Sequence, residues 1–194
     1  MVANLKDIPR HRYTLEEYFA LERIGSARYE FWDGDIVCMS GGSSPHAEIS
    51  GNVYFSLRQK LTSSHCKAYN SELAIKTPKL PPYRYPDASV VCGQTSLDKI
   101  EGFDTITNPV VIIEVMSATT ENKDRNEKRL AYQALPSLQE YLLIAQDEPH
   151  VTQYTRQGNF WPRKDFAELE AKIVLAVINC ELSLREIYEG IIFS

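Results

Sequence analysis

Two carboxylates stand where a carboxylate is costly. Asp87 lies in "YPDASVVC" (85–92) and Glu114 in "PVVIIEVMS" (109–117). Both stretches are rich in β-branched residues and read as strands. Near-continuous apolar runs of this kind belong to central strands covered on both faces. A charge buried there costs several kcal/mol unless it is paired. One such acid reads equally well as half of a structural ion pair. Two acids on separate central strands repel each other when brought side by side, and a divalent cation relieves that repulsion. Hard carboxylate oxygens suit Mg2+, or Mn2+ in its place. Magnesium takes one or two protein carboxylates and completes its shell with water and substrate phosphate. The chemistry such a site offers is hydrolysis at phosphorus, through a polarised phosphoryl oxygen and a water of lowered pKa.

Hydrolysis at phosphorus also needs a cation at the developing negative charge. The residue two beyond Glu114, on the same face of the strand, is Met116 and not a lysine. The next helix supplies the lysines. In "NKDRNEKRL" and beyond, Asp124, Lys128 and Tyr132 recur at i, i+4, i+8 on one helix face. Ala131 and Leu135 flank that face, which turns Lys128 toward the sheet. Lys123, Arg125 and Arg129 are better placed for solvent or for nucleic-acid phosphates. With Glu121, Asp124 and Glu127 interleaved, a salt-bridged surface face is the preferred account of Lys123 and Arg129. Tyr132 reads as a packed aromatic or as a substrate contact.

Two further polar residues stand out. Glu30 sits between Tyr29 and Phe31 and faces away from whichever side those aromatics choose. It is either a solvated strand acid or a third acid supporting the metal or its water. His46 lies near a helix start, where the helix N-terminus disfavours the imidazolium and favours an anion. There a neutral imidazole positions water or a phosphate, or it simply faces solvent.

The elements that must hold these residues are legible in outline. "YTLEEYFALE" starts a helix over 14–24, with Thr14 and Glu17 in capping-box spacing. "RYEFWDGDIVCMS" is a hairpin around Asp33-Gly34. A glycine loop then opens a helix with Ser44 as cap and Pro45 in the first turn. "CKAYNSELAIKT" is extended, and "PKLPPYRYP" is a proline-stiffened approach to the Asp87 strand. Residues 92–108 read as a loop with a short helical turn. "TENKDRNEKRLAYQAL" is the clearest helix. "LQEYLLIAQ" is a strand, "HVTQYTRQGNFWPR" a hairpin around Gly158, and 183–189 a short helix with a second capping box, Ser183 to Glu186. The order is α-ββ-α-β-β-β-α-β-ββ-α. No shift in composition divides it, so 1–194 is expected to be one α/β domain with a mixed sheet.

Bulk properties exclude several classes. A chain of 194 residues can bury a sizeable core. Its longest uninterrupted apolar run, "IVLAVI" at 173–178, is too short to cross a bilayer, and "MVANLKDIPRHRY" lacks the apolar core of a signal peptide. Cys38, Cys66, Cys92 and Cys180 are scattered, and those in strand-like runs read as buried free thiols. A reduced, cytoplasmic protein is the expectation. A net charge of −5 argues against non-specific nucleic-acid binding by the whole surface but leaves room for a local basic groove.

In this order, the residues resemble the Uma-two family of restriction endonucleases, part of the PD-(D/E)XK nuclease superfamily. "YPDASVV", "VVIIEVMS" and "DRNEKRLAYQALPSLQEYLLI" carry the resemblance. The hairpin "RYEFWDGDIVCMS" and the Ser/Pro/His helix start add to it. It spans most of the chain, from Tyr13 to Ile192. It implies a restriction-endonuclease-like core, a mixed central sheet flanked by helices, and magnesium-dependent hydrolysis of DNA. Asp87 takes the place of the acid in the "PD" half and Glu114 that of the second acid. Met116 stands where the superfamily's lysine belongs. The family commonly has an apolar residue there and draws a lysine from the next helix, a place that Lys128 fits. Glu30 and His46 match further polar positions. A homodimer is expected, because cutting both strands of a duplex suits a two-fold pair of sites. Two other readings stay open. One is a nuclease fold that has lost catalysis and serves as a nucleic-acid-binding or protein-interaction module, which Met116 and the acidic pI favour. The other is an interaction protein whose strand acids are plain ion pairs. Replacing Asp87 or Glu114 by Ala should abolish metal-dependent cleavage and leave the far-ultraviolet circular dichroism unchanged. Cleavage at the wild-type rate in both variants would remove the metal-site reading.

Overall fold

The computed structural model describes residues 11–24, 27–32, 34–39, 42–78, 83–100, 103–117 and 121–193. Helix α1 (Leu15–Ile24) starts as its spacing predicts. The Thr14 hydroxyl accepts from the Glu17 backbone N–H at 3.2 Å, and Glu17 accepts from the Thr14 N–H at 2.7 Å. Strands β1 (Tyr29–Trp32) and β2 (Asp35–Cys38) form the expected hairpin. Gly34 takes the left-handed turn position at φ +91°, and Asp33 lies outside the described residues. Helix α2 (Ser44–Lys60) is capped one residue earlier than expected. Ser43, not Ser44, accepts the His46 N–H, and Pro45 occupies the first turn, where no N–H is needed.

Two expectations fail in the middle of the chain. "CKAYNSELAIKT" is not one extended segment. A turn at 71–73 splits it into β3 (Cys66–Asn70) and β4 (Ala74–Lys76), which join different sheets. The stretch 92–108 is not a loop with a helical turn. After β5 (Tyr83–Arg84) and β6 (Ala88–Cys92) it forms a hairpin, β7 (Leu97–Ile100) with β8 (Phe103–Ile106). β8 pairs in parallel with β4, so this hairpin is fixed by a distant strand that no local pattern announces. Beyond them come β9 (Val111–Met116), a helical run over 121–133, β10 (Glu140–Ala145), β11 (Val151–Thr155) and β12 (Arg163–Phe166). The tail folds as a further hairpin, β13 (Lys172–Leu175) with β14 (Cys180–Ser183), which the apolar run at 173–178 did not reveal. A helix over Leu184–Ile187 follows, with the expected Ser183–Glu186 capping box.

The largest sheet is mixed, as expected, in the order β12-β11-β10-β9-β6-β3. Only β9 and β10 are parallel in it. Parallel neighbours need a crossover, and the helical run 121–133 supplies it. β9 is buried along its whole length. Val111, Ile113 and Val115 pack with Ile49, Val53 and Leu57 of α2, whereas Ile112 and Met116 pack with Tyr132 of the crossover helix and Leu135 just beyond its end. Strand alternation therefore turns Glu114 toward the crossover helix.

The cysteine expectation is corrected. Cys66 and Cys92 are not free thiols but a disulfide. They face each other in the β3–β6 register with Cα atoms 3.9 Å apart. Cys180 is a buried free thiol, and Cys38 is exposed.

Glu140 opens β10 inside the apolar interior. One carboxyl oxygen accepts from Gln153 at 3.3 Å and from the Ala176 N–H at 3.1 Å, and the other makes no hydrogen bond. Burial pushes its pKa up to about 7, against 4.5 for an ordinary glutamate, with the Ala176 and Val177 N–H groups opposing the rise. The fold thus prefers the protonated form. Its contribution to stability is full below pH 4.5 and is lost as pH rises toward 7. Glu140→Gln should flatten the pH dependence of the urea midpoint over that window and stabilise the protein at pH 8. A midpoint with the wild-type pH profile would show that Glu140 is not held neutral.

Candidate active site

Asp87 sits at the end of the sheet, one residue before β6. The β6–β9 register pairs Ala88 with Ile113, so the next step along it sets Asp87 beside Glu114. Pro86 and Asp87 leave the ladder there, and the Asp87 carboxylate takes over its work. One oxygen accepts the Val115 N–H at 2.7 Å, and the other accepts from the Ser50 hydroxyl at 3.3 Å. The first turns of α2 face it. His46 Nε2 lies 3.5 Å from Asp87 Oδ2, and Ser50 follows one turn later. Asp87 hydrogen-bonded to its ring raises the His46 pKa above the ordinary histidine value, against burial. The carboxylate thus reverses the preference for a neutral imidazole expected from the helix N-terminus alone. The Asp87 and His46 side chains keep 15% and 24% of their surface exposed. The acids behind them keep almost none, so Asp87 and His46 form the mouth of the site.

Behind the mouth is a buried cation among three acids. Lys128 Nζ lies 3.3 Å from Glu114 Oε1, 3.4 Å from Glu30 Oε1 and 3.3 Å from Asp124 Oδ1. All four side chains are 5% exposed or less. Burial alone would discharge a lysine. Glu114, Glu30, Asp124 and Asp87 outweigh it and hold Lys128 protonated, with its pKa well above the ordinary value. Burial pushes Glu114 the same way, well above the ordinary carboxylate range. Lys128 opposes that rise, and Asp124, Asp87 and Glu30 reinforce it. The Tyr132 hydroxyl donates to Glu114 Oε1 at 2.9 Å. Glu30 accepts from the Tyr85 N–H at 3.2 Å and from Trp32 Nε1 at 3.1 Å, which ties the N-terminal hairpin to the segment leading into Asp87. Glu30 is therefore an inward acid and not a solvated one.

The helix that delivers Lys128 is not α-helical throughout. Glu121–Lys123 and Arg129–Gln133 are α, and between them Asp124–Lys128 is a π-turn. Such single wide turns are frequent at functional sites. Here the turn carries both buried charged residues of the helix.

The surface cations lie elsewhere. Arg125 pairs with Glu121 at 2.8 Å, and Arg129 donates to the Arg125 carbonyl and lies over Tyr154. Lys123 Nζ is 4.7 Å from the centre of the Trp32 ring. Tyr132 is fully buried, which removes it from any surface offered to a nucleic acid. Two residues beside the acids carry no role in the sequence reading. The spacing puts Asp124 on the Lys128 face, yet it counts there only as one of the acids interleaved in a salt-bridged surface. Arg84 is 1% exposed, stacks on Trp32 at 3.7 Å and donates to the Phe31 and Tyr83 carbonyls. An arginine two residues before a "PD" was the available signal for it.

The donor set fits a hard divalent cation. It offers carboxylate oxygens in excess of cations, with the most accessible one, Asp87, beside Glu114. It is not a ready-made cage. Among the described residues, the only three potential ligand atoms mutually within 4.8 Å belong to His65, Cys66 and Cys92. A cation that takes one or two protein carboxylates needs no cage.

The model of the Uma2 family, described as "Putative restriction endonuclease", matches residues 15–185. The chain belongs to that family. It is 29% identical to the protein slr1290 of Synechocystis sp. over the whole length of both chains. It is also 29% identical to sll1609 of the same organism, over 75% of this chain and 82% of that one. Among solved structures it is similar to "a putative nuclease belonging to DUF820" from Anabaena variabilis. That match has a TM-score of 0.67 at 18% identity and covers 82% of this chain and 88% of the other. The fold is restriction-endonuclease-like. No helix among the described residues is long and apolar enough to cross a membrane.

The buried cluster yields a stability prediction. Lys128→Met strands buried carboxylates without their cation and should cost about 3–5 kcal/mol. Adding Glu114→Gln to that variant should recover a substantial part, because the glutamine carries no charge. Urea unfolding measures both. A midpoint unchanged by Lys128→Met would mean that the ammonium does not hold the acids together.

Proposed function

We propose that the protein is a divalent-metal-dependent endonuclease that hydrolyses DNA phosphodiester bonds. The observation that carries this reading is the Lys128 ammonium, buried among Glu30, Glu114 and Asp124 directly behind the partly open Asp87. Membership of the Uma2 family supports the same reading.

Asp87 and Glu114 would hold Mg2+ or Mn2+, which when bound supplies Lewis-acid polarisation of a phosphoryl oxygen and offsets the charge that develops on it. The chain's own residues do the rest. Lys128, kept protonated by its acids, offers a fixed positive charge to the phosphate oxygens, and such preorganised donors act where charge develops. Glu30 and Asp124 hold the lysine. Tyr132 holds Glu114 through its hydroxyl. His46 at the mouth, with the N-terminus of α2 behind it, receives the phosphate of the incoming backbone. Lys123, Arg125 and Arg129 extend the positive charge along the helix that leads away from the site. Two copies related by a two-fold axis would address the two strands of a duplex.

The second reading, a fold that binds without cutting, draws on Met116. It occupies the place of the superfamily's lysine and packs in the apolar cluster with Tyr132. Single-turnover cleavage in saturating manganese decides between them, measured well below the unfolding midpoint of each variant. Lys128→Met should slow cleavage by about 10²- to 10³-fold, the usual loss for one charge-stabilising donor. Adding Met116→Lys should recover part of the rate, since that side chain leaves β9 on the face of Glu114. Cleavage by Lys128→Met at the wild-type rate would overturn the assignment of Lys128. DNA binding by the wild type, with no cleavage at any manganese concentration, would favour the second reading.

A further inference from the structure

We propose that reduction of the Cys66–Cys92 disulfide opens a second metal site, in which Cys66, Cys92 and His65 bind one zinc ion. The site is independent of the candidate nuclease centre. β6 runs from Ala88, next to Asp87, to Cys92 at its other end. That strand rises about 3.3 Å per residue, so the two ends lie on the order of 15 Å apart.

Three observations carry the proposal. The ligand atoms of His65, Cys66 and Cys92 all lie within 4.8 Å of one another. Tetrahedral zinc, with bonds of about 2.0–2.3 Å to nitrogen and sulfur, sets its ligands roughly 3.5–4 Å apart. Once the S–S bond is cut, the two sulfurs move apart to that separation and the imidazole nitrogen closes on them by side-chain rotation. The backbone around them is already fixed. Cys66 and Cys92 face each other in register, and the Gly93 N–H donates to the His65 carbonyl at 2.9 Å. The chemistry is matched as well. Two thiolates and an imidazole are soft and borderline donors that select zinc over the hard cations suited to Asp87 and Glu114. Burial is graded, with Cys66 buried, Cys92 half-buried and His65 exposed. One side of the ion is thereby sealed and the other left open for a fourth ligand, a water or an anionic group.

The exchange balances. A dithiol reductant gives two electrons to the S–S bond and closes its own disulfide, and each cysteine sulfur takes a proton. Zinc displaces those two protons as both sulfurs become thiolates, and His65 contributes a neutral ring nitrogen. The oxidised, disulfide form of that dithiol takes the two electrons back, re-forms the Cys66–Cys92 bond and releases the ion. Disulfide and zinc thus compete for the same two sulfurs.

Cobalt(II) serves as a spectroscopic stand-in for zinc. The full chain, reduced with a phosphine and titrated with cobalt(II), should bind one equivalent with thiolate-to-cobalt charge-transfer absorption. Zinc should then abolish that absorption. The oxidised chain should show none. Cys38→Ser should keep the absorption, since that cysteine lies in the β1–β2 hairpin and not in the β3–β6 pair. Asp87→Asn should also keep it, which separates this site from the nuclease centre. Cys66→Ser/Cys92→Ser should lose it. His65→Ala, a change at an exposed position, should weaken cobalt binding at least tenfold without altering the fold. Reduced wild type with no charge-transfer band, or a band that survives in Cys66→Ser/Cys92→Ser, would overturn the proposal and leave a structural disulfide only. A band unaffected by His65→Ala would overturn the three-ligand site.

Discussion

One ammonium group holds the centre of this protein together. Lys128 is buried, and three carboxylates from three separate parts of the chain converge on it: Glu30 from the first hairpin, Glu114 from the central strand and Asp124 from the crossover helix. The desolvation of a lysine is repaid only when several acids share it at close range. Conversely, the acids tolerate burial only because the lysine is there. The N-terminal hairpin has no place in the six-stranded sheet. It is secured by Glu30, which reaches Lys128 and the Tyr85 N–H together, and by Arg84 stacked on Trp32. Remove the ammonium and three elements lose their common partner.

Glu114 illustrates how structural and chemical roles overlap. Its burial raises its proton affinity, and Tyr132 and Lys128 satisfy the charge that remains. Asp87 is treated differently. It is partly open, and it substitutes for a missing rung of the ladder by accepting the Val115 N–H. That bond fixes the carboxylate at the end of β9 whether or not anything binds it. The pair therefore joins one acid pointing inward, locked by protein partners, to one at the surface, oriented by backbone. Such an arrangement positions a ligand without a cage of side chains.

The sequence disclosed the parts of this site that depend on local rules. Helix spacing turned Lys128 toward the sheet, reciprocal Thr14–Glu17 and Ser183–Glu186 caps marked two helix starts, and the family resemblance grouped Asp87 and Glu114 with that lysine. What stayed hidden depends on distant pairing. β8 forms beside β4, some thirty residues earlier, so the stretch 92–108 looked like a loop. Cys66 and Cys92 meet only because β3 and β6 pair in that register, and widely spaced cysteines say nothing about it. Asp124 shares the Lys128 face by spacing, but among Glu121 and Glu127 it looked like one more acid of a salt-bridged helix. Its burial follows from the packing of that helix on the sheet, which a charge pattern alone does not encode. Arg84 lay in a proline-rich approach, where its stacking partner Trp32 is fifty residues away in sequence.

The π-turn at Asp124–Lys128 makes the site sensitive to helix length. A π-turn amounts to an α-helix with one residue inserted. Loss of a single codon within it would close the wide turn to α geometry, leaving Glu121–Lys123 and Arg129–Gln133 in register and moving the side chains between them. The Asp124 carboxylate would shift against the lysine it helps to hold. The composition of the site would change without the substitution of any of its residues. The site therefore answers to the length of this helix as well as to the identity of its residues.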